Sequence, residues 1–186
     1  MRAYLIFFVL LLVGCNTHQP SNLGAPTHLT CEYLNDPSVV DVSPRLGWIN
    51  TTTASQRGEK QTAYQIRVAS LEPLLEHPDM WDSEKITSDE SIRIEYEGKP
   101  LQSRQEYYWQ VRVWDKDGKA SAYSRPAYWE MGLLSPQDWR GQWIGGSTDT
   151  NSLPAPLLRR AFTLDDKIRQ ARAYICGLGY YELRLN

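Results

Sequence analysis

The sequence carries little net charge and has no long hydrophobic run. Its 20 basic and 22 acidic residues give a formal net charge of −2. Nucleic-acid-binding domains concentrate basic residues, so this balance predicts no nucleic-acid partner. The apolar run from Tyr4 to Val13 is shorter than the roughly 20 residues that a membrane-spanning helix needs.

Cysteine and histidine are also scarce, with three of each. No CxxC motif and no Cys/His spacing typical of a metal site occurs. His18, His28 and His77 are isolated, so the sequence supports no Ser–His–Asp arrangement. We therefore expect no metal and no cofactor.

The N-terminus has the features of a secretion signal. Arg2 supplies a minimal positive region before the apolar run. Leu12-Val13-Gly14-Cys15 resembles a bacterial lipobox, in which Cys15 becomes the lipidated first residue. Acyl chains on Cys15 would anchor an exported protein at a membrane, in the periplasm or on the cell surface. The alternative is an ordinary secretory signal in which Cys15 is incidental.

The stretch from Leu101 to Trp129 gives the strongest structural signal. Its first half alternates with the two-residue period of a half-buried strand. Tyr107, Trp109, Val111 and Val113 lie on one face, and Tyr108, Gln110, Arg112 and Trp114 lie on the other. Asp117-Gly118 predicts a tight turn, and Ala120 to Trp129 predicts a returning strand. Pro126 makes that second strand an edge or breaks it.

Leu101 lies six residues before Tyr107. This spacing resembles the tyrosine corner of immunoglobulin-like sandwiches, in which a buried tyrosine hydroxyl bonds to upstream backbone. An ordinary core tyrosine is the alternative interpretation.

The chain before this hairpin contains further short strands separated by turn signals. They are predicted at Leu29–Leu34, Arg45–Asn50, Thr62–Ser70, Trp81–Lys85 and Ser91–Tyr96, with a short helical turn within Leu71–Pro78. We expect Trp48, Tyr64 and Trp109 to form the centre of the core, and Ile92, Ile94 and Tyr96 to face inward. The pattern predicts an all-β fold, a fibronectin-III/immunoglobulin-like antiparallel β-sandwich.

Composition divides the chain into five predicted segments: signal peptide 1–15, tether 16–28, sandwich 29–133, Trp-containing linker 134–156 and a second β region 157–186. Trp139 and Trp143 are expected to pack the linker against a neighbour. The second region predicts the first strands of an incomplete jelly-roll domain, at Leu158–Leu164, Ile168–Cys176 and Tyr180–Leu185. The chain is therefore expected to be truncated.

Cys31 and Cys176 fall in different predicted domains. A disulfide is open to an exported protein, but the separation favours a buried free thiol for each residue.

Several sequence blocks carry a family resemblance. They are RGEKQTAYQIRVAS, MWDS, YYWQVRVWDKDGKAS, WIGG, PAPLLRRAFTL and ARAYICGLGYYELRLN. From about Leu29 to Asn186 the chain resembles the N-terminal region of bacterial α-L-rhamnosidases of glycoside hydrolase family 78. The resemblance implies that a jelly roll and a catalytic (α/α)₆ barrel follow, and that the barrel cleaves terminal α-L-rhamnose with inversion. No barrel motif occurs here, so no catalytic residue is assigned.

Two acidic pairs have structural explanations. Glu95 and Glu97 are expected on a solvated strand face rather than in general acid–base catalysis. Asp115 and Asp117 begin like a calcium loop but lack its later ligands, so a hairpin turn is expected.

The outward face of the central strand is the best binding candidate. Tyr108, Gln110, Arg112 and Trp114 suit a sugar contact. Contact with the missing domains or stiffening of the sheet is favoured instead, because exposed aromatic side chains commonly mark protein interfaces.

Two functions remain open at this point. The first is a non-catalytic N-terminal accessory part of an exported α-L-rhamnosidase, inactive alone, whose partners are the missing jelly-roll and catalytic domains. Such a protein would meet rhamnose-containing glycans only through the full-length enzyme, and a membrane through its lipid anchor. The alternative is a free-standing lipoprotein that binds a glycan or a protein partner.

Overall fold

The computed structural model describes residues 21–52, 57–145, 157–163, 167–168 and 171–185. The predicted signal peptide 1–15, its Cys15 and tether residues 16–20 lie outside the described residues. The chain divides into two compact units, Met1–Arg140 and Gly141–Asn186.

The described residues of the first unit form seven short strands and two 3-10 helices. The strands are β1 (Thr27–Cys31), β2 (Arg45–Ile49), β3 (Ala63–Ala69), β4 (Trp81–Asp82), β5 (Ile94–Glu95), β6 (Glu106–Trp114) and β7 (Ala127–Glu130). The first 3-10 helix is Glu72–Glu76 and the second is Pro136–Asp138. Within the described residues, no helix is long and apolar enough to cross a membrane.

The strands form two antiparallel sheets, in the orders β1-β2-β5 and β4-β3-β6-β7. The longest pairing joins β3 to β6 and runs from Ala63 opposite Trp114 to Ala69 opposite Tyr108. One buried hydrophobic cluster contains the inward side chains of both sheets. The predicted all-β sandwich is therefore confirmed.

The predicted core residues are buried between the sheets. Trp48 from β2 and Tyr64 from β3 make an edge-to-face contact with their ring centroids 5.3 Å apart. Trp109 from β6 is also buried. Aromatic pairs of this geometry stabilise a core beyond the area they bury, so this contact joins the two sheets.

The tyrosine corner is present as predicted. The Tyr107 side chain is buried, and its hydroxyl accepts a hydrogen bond of 2.9 Å from the backbone N–H of Gln102. Nearby Arg104 has a φ of 65°, an uncommon left-handed conformation for a residue other than glycine. Its N–H donates to the carbonyls of Met131 and Gly132, each at 3.1 Å. The corner therefore ties the start of β6 to the end of β7.

The returning strand is shorter than the predicted Ala120–Trp129, because regular pairing begins only after Pro126, at Ala127. Before it, the hydroxyls of Ser121 and Ser124 accept hydrogen bonds from β6 backbone N–H groups, each at 3.1 Å. Proline has no N–H to donate, and regular pairing begins only after it, so the predicted break is confirmed; the two serine hydroxyls serve β6 as acceptors instead of backbone carbonyls.

The outer edge of β7 is covered by the segment that follows β1. The N–H of Glu130 donates to the carbonyl of Pro37 at 2.9 Å, and the N–H of Val40 donates to the carbonyl of Glu130 at 3.0 Å. The Asp36 carboxylate accepts from the N–H of Tyr128 at 3.1 Å. Open sheet edges invite pairing with other chains, and this edge is sealed.

The predicted tether is wrong for its second half. Ser21 and Leu23 are buried, and Leu23 forms a β-bridge with Thr52. The polar composition suggested a free segment, but the backbone N–H and hydroxyl groups of this segment have acceptors on the sandwich. Residues 21–28 are therefore part of the sandwich.

Ile92 is another exception to the predictions, because it is exposed whereas Ile94 and Tyr96 are buried as expected. Arg93 between them has a φ of 56°, which interrupts the strand alternation. The regular strand there consists of Ile94–Glu95 alone.

The two described cysteines are free thiols with different surroundings. Cys31 is buried as predicted, whereas Cys176 is exposed, which corrects the prediction of a buried thiol. Burial and, to a smaller extent, the charge of Glu32 raise the pKa of Cys31 to about 12. A thiol with this pKa is unreactive at neutral pH.

The second unit differs from its sequence prediction in local structure. Its described residues contain none of the three predicted strands. An alternating segment forms a strand only when it is hydrogen-bonded to a partner strand, and no such pairing occurs among these residues. Residues 146–156 of the predicted linker lie outside the described part. Trp139 and Trp143 are exposed rather than packed as expected.

The corner and the core make separable contributions to stability. Trp109→Ala is expected to lower the free energy of unfolding by about 3–5 kcal/mol, because it leaves a large cavity. Tyr107→Phe should lower it by about 1–3 kcal/mol, because the Gln102 N–H loses its acceptor. Urea denaturation measures both values.

Tyr33→Phe is the matched control for the hydroxyl, because Tyr33 is exposed. This substitution should leave the free energy of unfolding unchanged. Equal and negligible effects of Tyr107→Phe and Trp109→Ala would contradict the assignment of this corner.

Candidate functional site

The four predicted contact residues share the outer face of β6. Tyr108, Gln110 and Arg112 are partly exposed there, whereas Trp114 is only 8% exposed. Two-residue alternation requires this arrangement, because the residues between them fill the core. The predicted face is therefore real, but its two ends have different surroundings.

Around Trp114 the face is occupied by cationic side chains of the same domain. Lys85 Nζ lies 4.8 Å from the centre of the Trp114 ring, and the Arg112 guanidinium lies 4.9 Å from it. Arg112 also lies 4.9 Å from the Tyr123 ring, and Arg67 lies 4.8 Å from the same ring. We call Lys85, Trp114, Arg112, Tyr123 and Arg67 the cation–aromatic row. Such contacts are attractive because a cation faces the negative face of each ring.

The Arg112 guanidinium is further fixed by hydrogen bonds. Its Nε and Nη2 donate to Gln65 Oε1, at 2.9 and 2.7 Å. Gln65 Nε2 donates to Asp82 Oδ1 at 2.6 Å, and Arg67 Nε donates to Asp82 Oδ2 at 3.1 Å. These bonds link β6, β3 and β4, so Arg112 and Trp114 stiffen the sheet.

The other end of the face is open. Gln110 lies in a shallow groove of about 290 Å³, whose other lining residues are Glu72, Pro73, Leu75, Glu76 and Pro126. Tyr108 continues the same face two positions along β6, and its ring centroid is 6.1 Å from that of Tyr128 on β7. Contact with a sugar or another domain stays a prediction for Tyr108 and Gln110.

Sequence reasoning missed the residues that complete this face. Tyr123 lies in the irregular stretch before Pro126, where no alternation indicates a direction. Glu72 and Glu76 reach the groove because the first 3-10 helix packs over β3 and β6. A short helical turn was predicted there, but its position over the sheet depends on tertiary packing.

The acidic pairs have the structural roles that were expected. Glu95 and Glu97 are exposed. Asp115 is fully buried, and Asp117 belongs to the turn that follows it. The described residues contain no group of three or more His, Cys, Asp or Glu side chains that could hold a metal ion.

Asp115 organises the turn after β6. Its Oδ1 accepts from the N–H groups of Asp117 at 3.0 Å and Lys119 at 2.9 Å. Its Oδ2 accepts from the Ser21 hydroxyl at 2.9 Å and the Asn22 N–H at 3.0 Å. Burial raises the pKa of Asp115, but these hydrogen bonds outweigh burial and hold the pKa below its ordinary value.

The Asp115 carboxylate should make stability depend on pH. Its pKa is lower in the folded than in the unfolded protein, where it is about 3.9. Its stabilisation is therefore complete above the unfolded pKa and is lost as the pH falls through the folded pKa. Asp115→Asn should lower the free energy of unfolding by about 2–4 kcal/mol at pH 7 and by less in acid. Urea denaturation at pH 7 and in acid measures both losses in the free energy of unfolding.

Asp117→Asn is the control, because the Asp117 side chain is half exposed. The assignment of Asp115 fails if Asp115→Asn and Asp117→Asn are equally stable at neutral pH.

Comparison with known proteins identifies the sandwich. The family described as "Rha78A-like, N-terminal immunoglobulin domain" matches residues 26–135. The chain belongs to this family. The matched region contains all seven strands of the Rha78A-like sandwich, the tyrosine corner and the groove.

Two curated relatives of this Rha78A-like chain are named alpha-L-rhamnosidase. The protein from Alteromonas sp. (strain LOR) is 35% identical over 195 residues, which cover 98% of this chain and 21% of the relative. The protein from Streptomyces avermitilis is 46% identical over 132 residues, which cover 70% of this chain and 12% of the relative. The chain therefore spans a small part of the length of these relatives.

Solved structures show the same sandwich. Streptomyces avermitilis alpha-L-rhamnosidase complexed with L-rhamnose matches with a TM-score of 0.63 and 44% identity, over 67% of this chain and 12% of that one. The alpha-L-rhamnosidase from Dictyoglumus thermophilum matches with a TM-score of 0.65 and 34% identity, over 70% of this chain and 15% of that one. The predicted resemblance to the N-terminal region of these enzymes is confirmed.

Proposed function

We propose that this chain is the non-catalytic N-terminal accessory part of an exported α-L-rhamnosidase, and that its sandwich scaffolds the downstream domains. One observation carries the proposal. The family match falls on a sandwich with its own core, while the Alteromonas relative that covers nearly the whole chain extends far beyond it.

The placement of the acidic side chains supports a non-catalytic role. Inverting glycoside hydrolysis needs two carboxyl groups that face each other across a sugar and a water molecule. Asp115 accepts four hydrogen bonds, two from the turn and two from Ser21 and Asn22, and Glu95 and Glu97 are exposed. A scaffold needs only a stable core and a firm outer face, and both are present.

A domain exchange tests the scaffold role. The region of the Alteromonas enzyme that aligns with residues 21–140 would be deleted, or replaced by those residues of this chain. The replacement should restore most of the thermal stability and rhamnosidase activity lost on deletion, because the sandwich is a folded unit. This chain alone should release no product from an aryl α-L-rhamnoside.

Activity of the unattached chain above a blank would overturn the non-catalytic part of the proposal. A replaced enzyme no better than the deleted one would overturn the scaffold part.

We further propose that the chain is exported and anchored at a membrane through lipid on Cys15. The support is the sequence pattern of the first fifteen residues, an apolar run followed by small Gly14 and Cys15. Polar residues 16–20 would connect the lipid to the sandwich.

Cys15→Ser should abolish lipidation, because the hydroxyl does not replace the acylated thiol. The variant should leave the detergent phase in a phase-separation assay and keep the mass of the unprocessed chain. Cys176→Ser is the control, since Cys176 is exposed and far along the chain. Unchanged detergent partitioning of Cys15→Ser would contradict the anchor.

A further inference from the structure

The groove at the open end of the β6 face is lined by two kinds of side chain. Pro73, Leu75 and Pro126 supply apolar surface, while Glu72 and Glu76 supply carboxylates. The groove therefore combines apolar contact with negative charge, on a surface next to the Tyr108 and Tyr128 rings, which are tilted by 40° against each other.

The polar groups of this surface are mainly acceptors. Gln110 Nε2 is directed to the Leu75 carbonyl at 3.4 Å, and within the described residues Gln110 Oε1 accepts no hydrogen bond. The Tyr108 hydroxyl donates to Glu106 Oε2 at 3.0 Å. Carboxylates and amide oxygens only accept, so acceptors outnumber donors at this end of the face, where the donors are the Gln110 amide group and the hydroxyls of Tyr108 and Tyr128.

The charges here are not balanced by the domain itself. Within the described part of the chain, Glu72, Glu76 and Glu106 form no ion pair. Burial raises the pKa of Tyr108, and the hydrogen bond to Glu106 and the charges of Glu106 and Glu72 raise it further. Both carboxylates are therefore within electrostatic reach of the Tyr108 hydroxyl.

The cation–aromatic row on the same face shows that aromatic rings and an amide oxygen on this sheet bind an arginine side chain. There, each aromatic ring has two cationic neighbours, and the guanidinium of Arg112 also meets an amide oxygen, that of Gln65. Beyond Arg112 the face continues with aromatic rings, an amide oxygen and carboxylates. Among the described residues, no cationic side chain faces the Tyr108 or Tyr128 ring as in the row. A guanidinium carries five donors, stacks on rings and pairs with carboxylates.

We propose that the groove between the first 3-10 helix, β6 and Pro126 docks an arginine-bearing segment of a protein domain that adjoins the sandwich in the same enzyme. The proposal rests on the scaffold function above and names the contact through which scaffolding acts. A neutral sugar fits less well, because it carries no charge to offset the three like charges of Glu72, Glu76 and Glu106.

A peptide titration of the full chain tests the groove. The probe is acetyl-Gly-Arg-Gly-amide, and its control is the citrulline peptide, which keeps the shape and removes the charge. Followed by NMR, the arginine peptide should shift the amide signals of Tyr108, Gln110 and Tyr128 in a saturable, salt-sensitive manner, and the citrulline peptide should not. Glu72→Gln with Glu106→Gln should weaken binding about tenfold.

Glu95→Gln is the matched control, an exposed carboxylate on the other sheet, and it should leave peptide binding unchanged. Thermal melting verifies that the variants fold. Equal shifts by both peptides, the same signals shifted by L-rhamnose instead, or no shifts in this groove would each overturn the proposal.

The occupant is tested in the domain-exchange enzyme. The double substitution Glu72→Gln and Glu106→Gln should lower its melting temperature, and Glu95→Gln should not. If the peptide binds but the double variant melts like its parent, the adjoining domain is not the occupant and the proposal is wrong. The titration uses this chain alone, so it can fail while the domain exchange succeeds, and the two proposals are judged separately.

Discussion

The two-residue period of β6 is the constraint on which the rest of the domain depends. Each inward residue of this strand fills the core, so each outward residue is placed on the opposite face with no freedom of choice. The tyrosine corner fixes where this period starts, because the Tyr107 hydroxyl binds the Gln102 N–H. A slip of one residue would exchange core and surface over the whole strand.

That constraint divides the outer face into a structural and an open end. Arg112 and Trp114 lie beside β3 residues and β4, so their polar and aromatic groups find partners inside the domain. Tyr108 and Gln110 lie towards β7 and the first 3-10 helix, where acceptors outnumber donors. One strand thus stiffens the sandwich at one end of its outer face and borders an open groove at the other, where we propose docking.

The features that could be predicted from the sequence are those set by local periodicity or turn chemistry. The faces of β6, the tyrosine corner and the break at Pro126 belong to this class, because each depends on residues close in the chain. The buried Ser21 and Leu23 do not, because their partners Asp115 and Thr52 are distant in sequence. The groove could not be predicted from the sequence for the same reason, since the first 3-10 helix reaches it only through tertiary packing.

The covered edge of β7 affects how readily the domain would self-associate at high local concentration. Proteins confined to a membrane surface meet copies of themselves far more often than in solution, and open strands then template fibrous assembly. Pro37, Val40 and Asp36 already bond to the N–H groups of Tyr128 and Glu130 and to the carbonyl of Glu130, so these groups are not free to pair with a neighbouring copy. Crowding at a surface would therefore find this side of the sandwich a poor template for strand pairing.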